Sequence, residues 1–307
     1  MLFVGTTTRS VRRARRAPLL ALALAGGTAA GAHAQLVSYE GFYGGPRPSL
    51  DGFAGGGGWS EAWSEQSWDL VTEVSAIGLA YPGLPVQPGC AVSQHGGEDW
   101  SGSQYQRSFP LPITSNAVYV SFLLRQNAAT TLWGGLSFNA FPYRVVAGMG
   151  PGSTSYSVRI DATQGANSSV PVVPGQTAFL IVRIAKNPSG VGCTYALFVN
   201  PQPGAPEPAA ASATFTVNAG PSLPTAVMLD NNGDFATDEI RVGADWASVA
   251  PAADPCPGDF NGDGIVNGAD IGVLLGNWNG PGADLTGDGT TNGADIGALL
   301  GHWGLCS

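Results

Sequence analysis

Charge is scarce in this chain: 11% of its 307 residues are Asp, Glu, Lys or Arg. Basic residues are the scarcer sign, and five of the 13 (Arg9, Arg12, Arg13, Arg15 and Arg16) crowd the start. Without that start, 8 basic residues face 22 acidic ones, a charge of about −14 in place of −9. Such a chain is not suited to seek nucleic acid or an anionic membrane. After residue 34 no run is long and apolar enough for a membrane-spanning helix. Cysteine is sparse, at 90, 193, 256 and 306, with no Cys-x-x-Cys and no Cys/His cluster. That spacing gives no sign of zinc or dithiol chemistry. His95 and His302 are isolated and read as structural.

What is present begins with an export signal over residues 1–34. The arginines form a positive region, Ala17 to Ala25 is a short apolar core, and Ala32-His33-Ala34 places small residues before a cut at Gln35. The doubled arginines hint at twin-arginine export, although the Phe-Leu-Lys continuation is missing. The expected location is secreted or cell-surface. Four cysteines in an exported chain suggest disulfides, with three pairings open.

Residues 35–249 are rich in Gly, Ser and Pro, with short β-branched and aromatic runs between turn signals. Strands are predicted at 117–125, 132–141, 155–161, 178–185, 194–200, 214–217, 226–230 and 239–242. No helical period competes with them. Eight or more strands over this length suit one antiparallel sandwich or jelly roll. The Pro-rich stretch 201–213 reads as a surface loop, and Ala250–Pro257 as a linker.

Near the C-terminus the chain repeats itself. DFNGDGIVNGADIGVLLGNW (Asp259–Trp278) recurs 25 residues later as DLTGDGTTNGADIGALLGHW (Asp284–Trp303). Oxygen-bearing side chains fall at positions 1, 3, 5, 9 and 12: Asp259, Asn261, Asp263, Asn267 and Asp270, then Asp284, Thr286, Asp288, Asn292 and Asp295. Position 6 is glycine in both copies, and position 7 (Ile265, Thr290) offers its carbonyl. Alternate oxygens around a glycine turn are how a loop wraps a hard cation, so each copy is expected to hold one Ca²⁺, two ions in all. Ile271, Leu274, Leu275 and Trp278, and their counterparts Ile296, Leu299, Leu300 and Trp303, have the spacing of one apolar helix face. Residues 254–307 carry seven Asp and no Lys, Arg or Glu, so folding of this part is expected to require neutralising cations.

This loop-then-helix pair, with Pro and Gly before each loop and Asp rather than Glu at position 12, resembles a type I dockerin. The resemblance implies a small all-α module, residues 258–307, that docks to a cohesin-type partner protein. It implies contact through positions 10 and 11, here Gly268-Ala269 and Gly293-Ala294 where hydroxyl-bearing residues are usual. Cys256 and Cys306 bracket the module and are expected to pair, leaving Cys90 with Cys193 by elimination. Upstream, Tyr39-Glu40-Gly41-Phe42, Gly56-Gly57-Gly58-Trp59, Leu197-Phe198-Val199-Asn200-Pro201 and Thr237-Asp238-Glu239-Ile240-Arg241 are similar to concanavalin A-like (laminin-G-like) jelly-roll domains of planctomycete-type exported proteins. The fold implied is mainly β, a concanavalin A-like β-sandwich followed by the dockerin-like calcium loop-helix repeats.

Jelly rolls of that type include lectins, adhesion modules and glycosidases. The glycosidase branch carries Glu-x-Asp-x-x-Glu on one strand, and no such string occurs here. Glu61, Glu65 and Asp69 are spaced as in a helix or loop, Glu98-Asp99 are adjacent, and Asp238-Glu239 would point to opposite strand faces. No catalytic residue is assigned. Trp59, Trp63, Trp68, Trp100 and Trp133 offer either core packing or a sugar platform. Asp230, Asn231, Asn232 and Asp234 read as an Asn-Gly turn or a further cation site. Three functions stay open: a surface-anchored carbohydrate-binding or adhesion protein, a dockerin-anchored glycoside hydrolase acting in polysaccharide catabolism, and a structural surface protein with calcium-stabilised repeats.

Overall fold

The computed structural model describes residues 36–66, 71–86, 89–93, 102–110, 116–140, 143–219, 223–252, 256–261 and 265–305. The predicted signal segment, Trp68, Asp69, His95, Glu98, Asp99, Trp100, Asp263, Gly264 and Cys306 therefore lie outside the described residues. Among those described, no helix is long and apolar enough to cross a membrane.

In chain order the strands are β1 (Leu36–Glu40), β2 (Ser64–Glu65), β3 (Thr72–Ser75), β4 (Cys90–Ser93), β5 (Ser103–Ser108) and β6 (Ala117–Gln126). There follow β7 (Gly134–Ala140), β8 (Tyr143–Met149), β9 (Ser155–Arg159), β10 (Gly165–Pro171), β11 (Thr177–Lys186) and β12 (Cys193–Val199). Next come β13 (Ala213–Val217), β14 (Ala226–Asn231), β15 (Phe235–Gly243) and a one-turn helix, α1 (Trp246–Val249). The C-terminal part holds β16 (Ile265–Val266), α2 (Gly268–Gly276), α3 (Gly293–Gly301) and β17 (Gly304–Leu305).

The first fifteen strands form two antiparallel sheets. One runs β13-β12-β11-β6-β15-β4-β3, with β1 also paired to β15, and the other runs β10-β9-β8-β7-β14-β5-β2. Period-2 alternation sends Val118, Val120, Phe122 and Leu124 of β6 and Leu180, Val182 and Ile184 of β11 inward from the first sheet. They meet Leu136 and Phe138 of β7, Val145 and Ala147 of β8, and Val227 and Leu229 of β14 from the second. The Phe138 and Tyr195 rings touch across the gap, their centroids 6.2 Å apart. This is a β-sandwich, as the strand pattern predicts. The opposite faces of β6 and β11 are buried too, where Leu123, Phe179 and Ile181 pack under Leu79, Leu84 and Trp246. Ala250, placed in the linker by sequence, belongs to this second cluster and accepts a hydrogen bond from Gly204 N–H.

One sequence expectation is corrected here and one open reading is decided. Cys90 and Cys193 are free, buried thiols. They sit on β4 and β12, four strand steps apart in one sheet, about 19 Å at the usual strand spacing. A disulfide needs Cα atoms within about 7 Å. Of the two readings open for Trp59 and Trp63, the fold shows core packing, with Trp63 buried and Trp59 packed against the core. Gly57 exchanges backbone hydrogen bonds with Tyr39, and a Cβ at Gly56 (φ +66°) would lie 2.0 Å from the Tyr39 carbonyl oxygen. Laid flat on β1, the glycine-rich segment turns Trp63 into the core, where its indole donates to Glu40, the ion-pair partner of Arg107. The Arg107 guanidinium lies 5.0 Å from the Trp59 ring centroid.

The C-terminal part has its own small core of Val266, Leu274, Ala283 and Leu299. Its repeats are joined reciprocally. Position 8 of the first loop, Val266, pairs with Gly304 at position 21 of the second repeat. Position 8 of the second, Thr291, exchanges hydrogen bonds with Asn279 and Gly280 at positions 21 and 22 of the first. The part is therefore not purely helical, because β16 and β17 add a short ladder. Only half of each predicted helix face is covered. Leu274 and Leu299 are buried, and Ile271 and Ile296 partly so. Leu275, Trp278, Leu300 and Trp303 remain 53%, 44%, 53% and 52% exposed.

Candidate functional site

Each helix of the C-terminal part starts on an asparagine. Asn267 and Asn292 cap α2 and α3 by accepting from Ala269 and Ala294 N–H, and Asp270 and Asp295 reach back to the Asn267 and Asn292 N–H groups. This is a reciprocal capping box. Positions 9 and 12 thus have a structural role beside any role as ligands.

The second loop shows its whole donor set. Asp284 Oδ1 accepts from Gly287 N–H (2.7 Å) and Asp288 N–H (3.1 Å), and its Oδ2 from Gly289 N–H (2.6 Å). The Thr286 hydroxyl donates to Asp295 (2.9 Å) and lies 3.3 Å from Asp284. Positions 1, 3 and 12 therefore meet. Asn292 Nδ2 donates to Asp288 Oδ2 and to the Thr290 carbonyl, both at 2.9 Å, which gathers positions 5, 7 and 9. Gly289 at position 6 has φ +91°, left-handed backbone that favours glycine. Burial pushes the Asp295 carboxyl up, but donors from Asn292, Thr286 and Leu285 together hold it below its ordinary value. In the first loop Asp270 accepts from Asn261 and Asn267 N–H (3.2 and 2.8 Å), and Asn267 Nδ2 donates to the Ile265 carbonyl (3.0 Å). Asp259 is half-buried, and Asp263 lies outside the described residues.

Among the described residues no three His, Cys, Asp or Glu side chains form a metal cluster. The second loop's remaining oxygens come from Thr, Asn and a carbonyl, a set that suits a hard cation. Gly268, Ala269, Gly293 and Ala294 are exposed in the first turns of α2 and α3.

The sandwich carries a cavity of about 730 Å³, lined by Trp133, Arg144, Val146, Ile160, Asp161 and Asn232 among others. Arg144 and Val146 alternate on β8 with the core residues Val145 and Ala147, so they project from the sheet's outer face. On β14, Asp230 follows the core residue Leu229 and is fully buried on that same outer face. Arg144 Nε lies 3.0 Å from Asp230 Oδ2. Burial raises the Asp230 carboxyl above its ordinary value, and Arg144 opposes the rise. Asn231 accepts from Gly135 N–H (2.9 Å), while Asn232 and Gly233 N–H both donate to the Trp133 carbonyl (2.9 and 3.3 Å). Trp133 and Asn232 are thereby fixed as one unit. At the rim, the Thr163 hydroxyl and N–H hold the Asp161 carboxyl down to about 2.

Of the other sequence candidates, Glu61 accepts from the Ser108 hydroxyl and is exposed. Asp238 and Glu239 do not point to opposite faces. The β15 register shifts between Asp238 and Arg241, Glu239 takes φ +53°, and both carboxylates are fully buried. Sequence reasoning flagged Trp133 and Asn232 separately and missed Arg144, which follows Trp133 across the β7–β8 hairpin but lies far from Asn232 in the chain.

No protein-family model matches the chain, and no curated protein matches it. Among solved structures it is similar to domain 4 of AbnA, a GH43 extracellular arabinanase from Geobacillus stearothermophilus in complex with arabinotriose. The identity is 13% over 68% of this chain and 92% of that one, with a TM-score of 0.36. The CBM22-1 xylan-binding domain of Paenibacillus barcinonensis Xyn10C is 14% identical over 72% and 97%, TM-score 0.31. An endo-1,3-beta-glucanase from Streptomyces sioyaensis is 11% identical over 65% and 96%, TM-score 0.35. At TM-scores below 0.5 these likenesses assign neither fold nor ligand to the chain.

Proposed function

We propose that this is an exported protein whose β-sandwich binds carbohydrate and whose C-terminal part is a dockerin-like module that binds two Ca²⁺ ions, is stabilised by them and docks to a cohesin-type protein. The observation that carries the first half is the outer-face cavity, where connecting loops set an indole and a few hydrogen-bonding groups beside Arg144 on β8. An aromatic wall for the sugar's C–H face, with polar groups for its hydroxyls, is the usual equipment of a sugar site.

The calcium ligands would be Asp259, Asn261, Asp263, the Ile265 carbonyl, Asn267 and Asp270, and their counterparts Asp284, Thr286, Asp288, the Thr290 carbonyl, Asn292 and Asp295. The convergence of the second set supports this. Gly268-Ala269 and Gly293-Ala294 would face the partner. Beside them the Leu275/Trp278 and Leu300/Trp303 pairs add exposed apolar surface, repeated on both helices. A Cys256–Cys306 clasp would hold the ends of the module together; Cys256, unlike Cys90 and Cys193, is not a free thiol.

Titration calorimetry of the whole protein against a panel of soluble polysaccharides tests the first half. Binding to at least one is expected, and Trp133→Ala should weaken it about tenfold. A panel in which nothing binds would overturn it. The docking half predicts capture on an immobilised cohesin in calcium and release in chelator, and it fails if nothing is captured.

A further inference from the structure

Asn232 stands apart in the sandwich. It lines the cavity and is fully buried, yet neither its Oδ1 nor its Nδ2 has a hydrogen-bond partner. Unpaired buried amides are uncommon because the lost water contacts go uncompensated. Here the backbone leaves the side chain little choice. The Asn232 and Gly233 N–H groups are both spent on the Trp133 carbonyl, which fixes the Asn232 backbone beside that of Trp133.

The charges around it narrow what could satisfy it. Arg144 is the cationic side chain among the lining residues, and the buried Asp230 holds it at 3.0 Å. Asp161 at the rim is anionic, and with Arg144 already paired to Asp230 the lining residues offer an anion no unpaired cation. An anion would face Asp161 and satisfy only the donor half of the amide. A cation would face Arg144 and satisfy only the acceptor half. Two adjacent hydroxyls, each able to donate and accept, satisfy both halves with no net charge.

We propose that Asn232 sets the specificity of this cavity and that its ligand is a neutral sugar unit presenting adjacent hydroxyls to that amide, not a uronate or a sulfated sugar. The proposal rests on the carbohydrate-binding reading above. It goes further by naming the class of sugar and the residue that selects it.

The test is titration calorimetry of the whole protein with cello-, xylo- and mannohexaose as neutral probes and oligogalacturonate and sulfated galactan oligosaccharides as acidic ones. Wild type, Trp133→Ala and Asn232→Ala would be compared, each with its Tm. A neutral probe should bind wild type at least tenfold more tightly than any acidic one. Asn232→Ala should lose about tenfold in that affinity while its Tm holds or rises, because the amide it removes bonds to nothing in the protein. A lower Tm with affinity intact would make Asn232 a structural residue and overturn the proposal. Equal binding of acidic probes would overturn the proposal and leave the carbohydrate reading standing, a comparison that needs no variant. Silence from every probe would remove both.

Discussion

At the shoulder of β15, Asp238 and Glu239 lie side by side, both fully buried but held differently. Glu239 is bonded by Arg241 (2.6 Å) and by the Tyr39 hydroxyl. Asp238 has two backbone donors, Leu79 and Glu239 N–H at 2.8 Å, and no ion pair among the described residues. Burial, and next the charge of Glu239, push the Asp238 carboxyl well above its ordinary value. The folded state therefore holds this proton more tightly than the unfolded chain does. The stability it contributes is full below the ordinary carboxylate range and is lost as pH rises through the raised value. Asp238→Asn cannot titrate, so its Tm relative to wild type should climb as pH rises above the ordinary carboxylate range. A pH-independent difference would mean the carboxyl ionises at its ordinary value. Beside it, burial and then the Asp238 charge push the Cys90 thiol up to about 12, and burial raises Cys193. Both should resist Ellman's reagent in the native protein. Denaturant alone should release two thiols per chain, and denaturant with prior reduction four. Four without reduction would exclude the Cys256–Cys306 clasp.

Elements built from hydrophobic alternation were legible in the sequence. β6, β11 and β12 fall within a residue or two of their predicted spans because both their faces meet apolar partners. β5 (SQYQRS) and β10 (GANSSVP) were not, since their stability comes from the neighbouring strands rather than from their own composition. The lone arginine of β5 looks like a surface residue in sequence, whereas in the fold Arg107 is buried against Glu40 and two indoles. The helices α2 and α3 were legible through their repeat. Their apolar stripe overstated the contact, because nine-residue helices turn Leu274 and Leu299 inward and leave Leu275 and Leu300 on the far side. Asn292 separates cap from ligand at this scale. Its side chain caps α3, so Asn292→Ala should cost about 1 kcal/mol even in chelator. Asp288 receives the Thr290 N–H and the Asn292 amide in an exposed loop, so Asp288→Ala should act chiefly when calcium is present. Chelator-independent losses of the same size in both would make the loop a structural turn.

Across the whole molecule, two kinds of electrostatics coexist. The sandwich hides single carboxylates and pairs Glu40, Asp230 and Glu239 with Arg107, Arg144 and Arg241. The C-terminal part concentrates seven Asp with no Lys or Arg, and its small core shares no member with the sandwich clusters. One is neutralised from within, whereas the other has only its own N–H groups and whatever cation the medium supplies. Calorimetry of the whole protein should therefore resolve two transitions, of which one answers to calcium. Ligand binding to the folded form alone adds RT ln(1 + [L]/Kd), about 2.7 kcal/mol at a hundredfold excess over Kd for each site. Raising calcium from chelator to millimolar should thus move the smaller transition upward by several degrees or more, with the larger one nearly fixed. Asp288→Ala should remove about half of that shift, since the first loop keeps its own ligands. If both transitions stay in place at millimolar calcium, the loops bind no ion. The short core and the two capping boxes would then have to hold the repeats together alone, against the repulsion of their own aspartates.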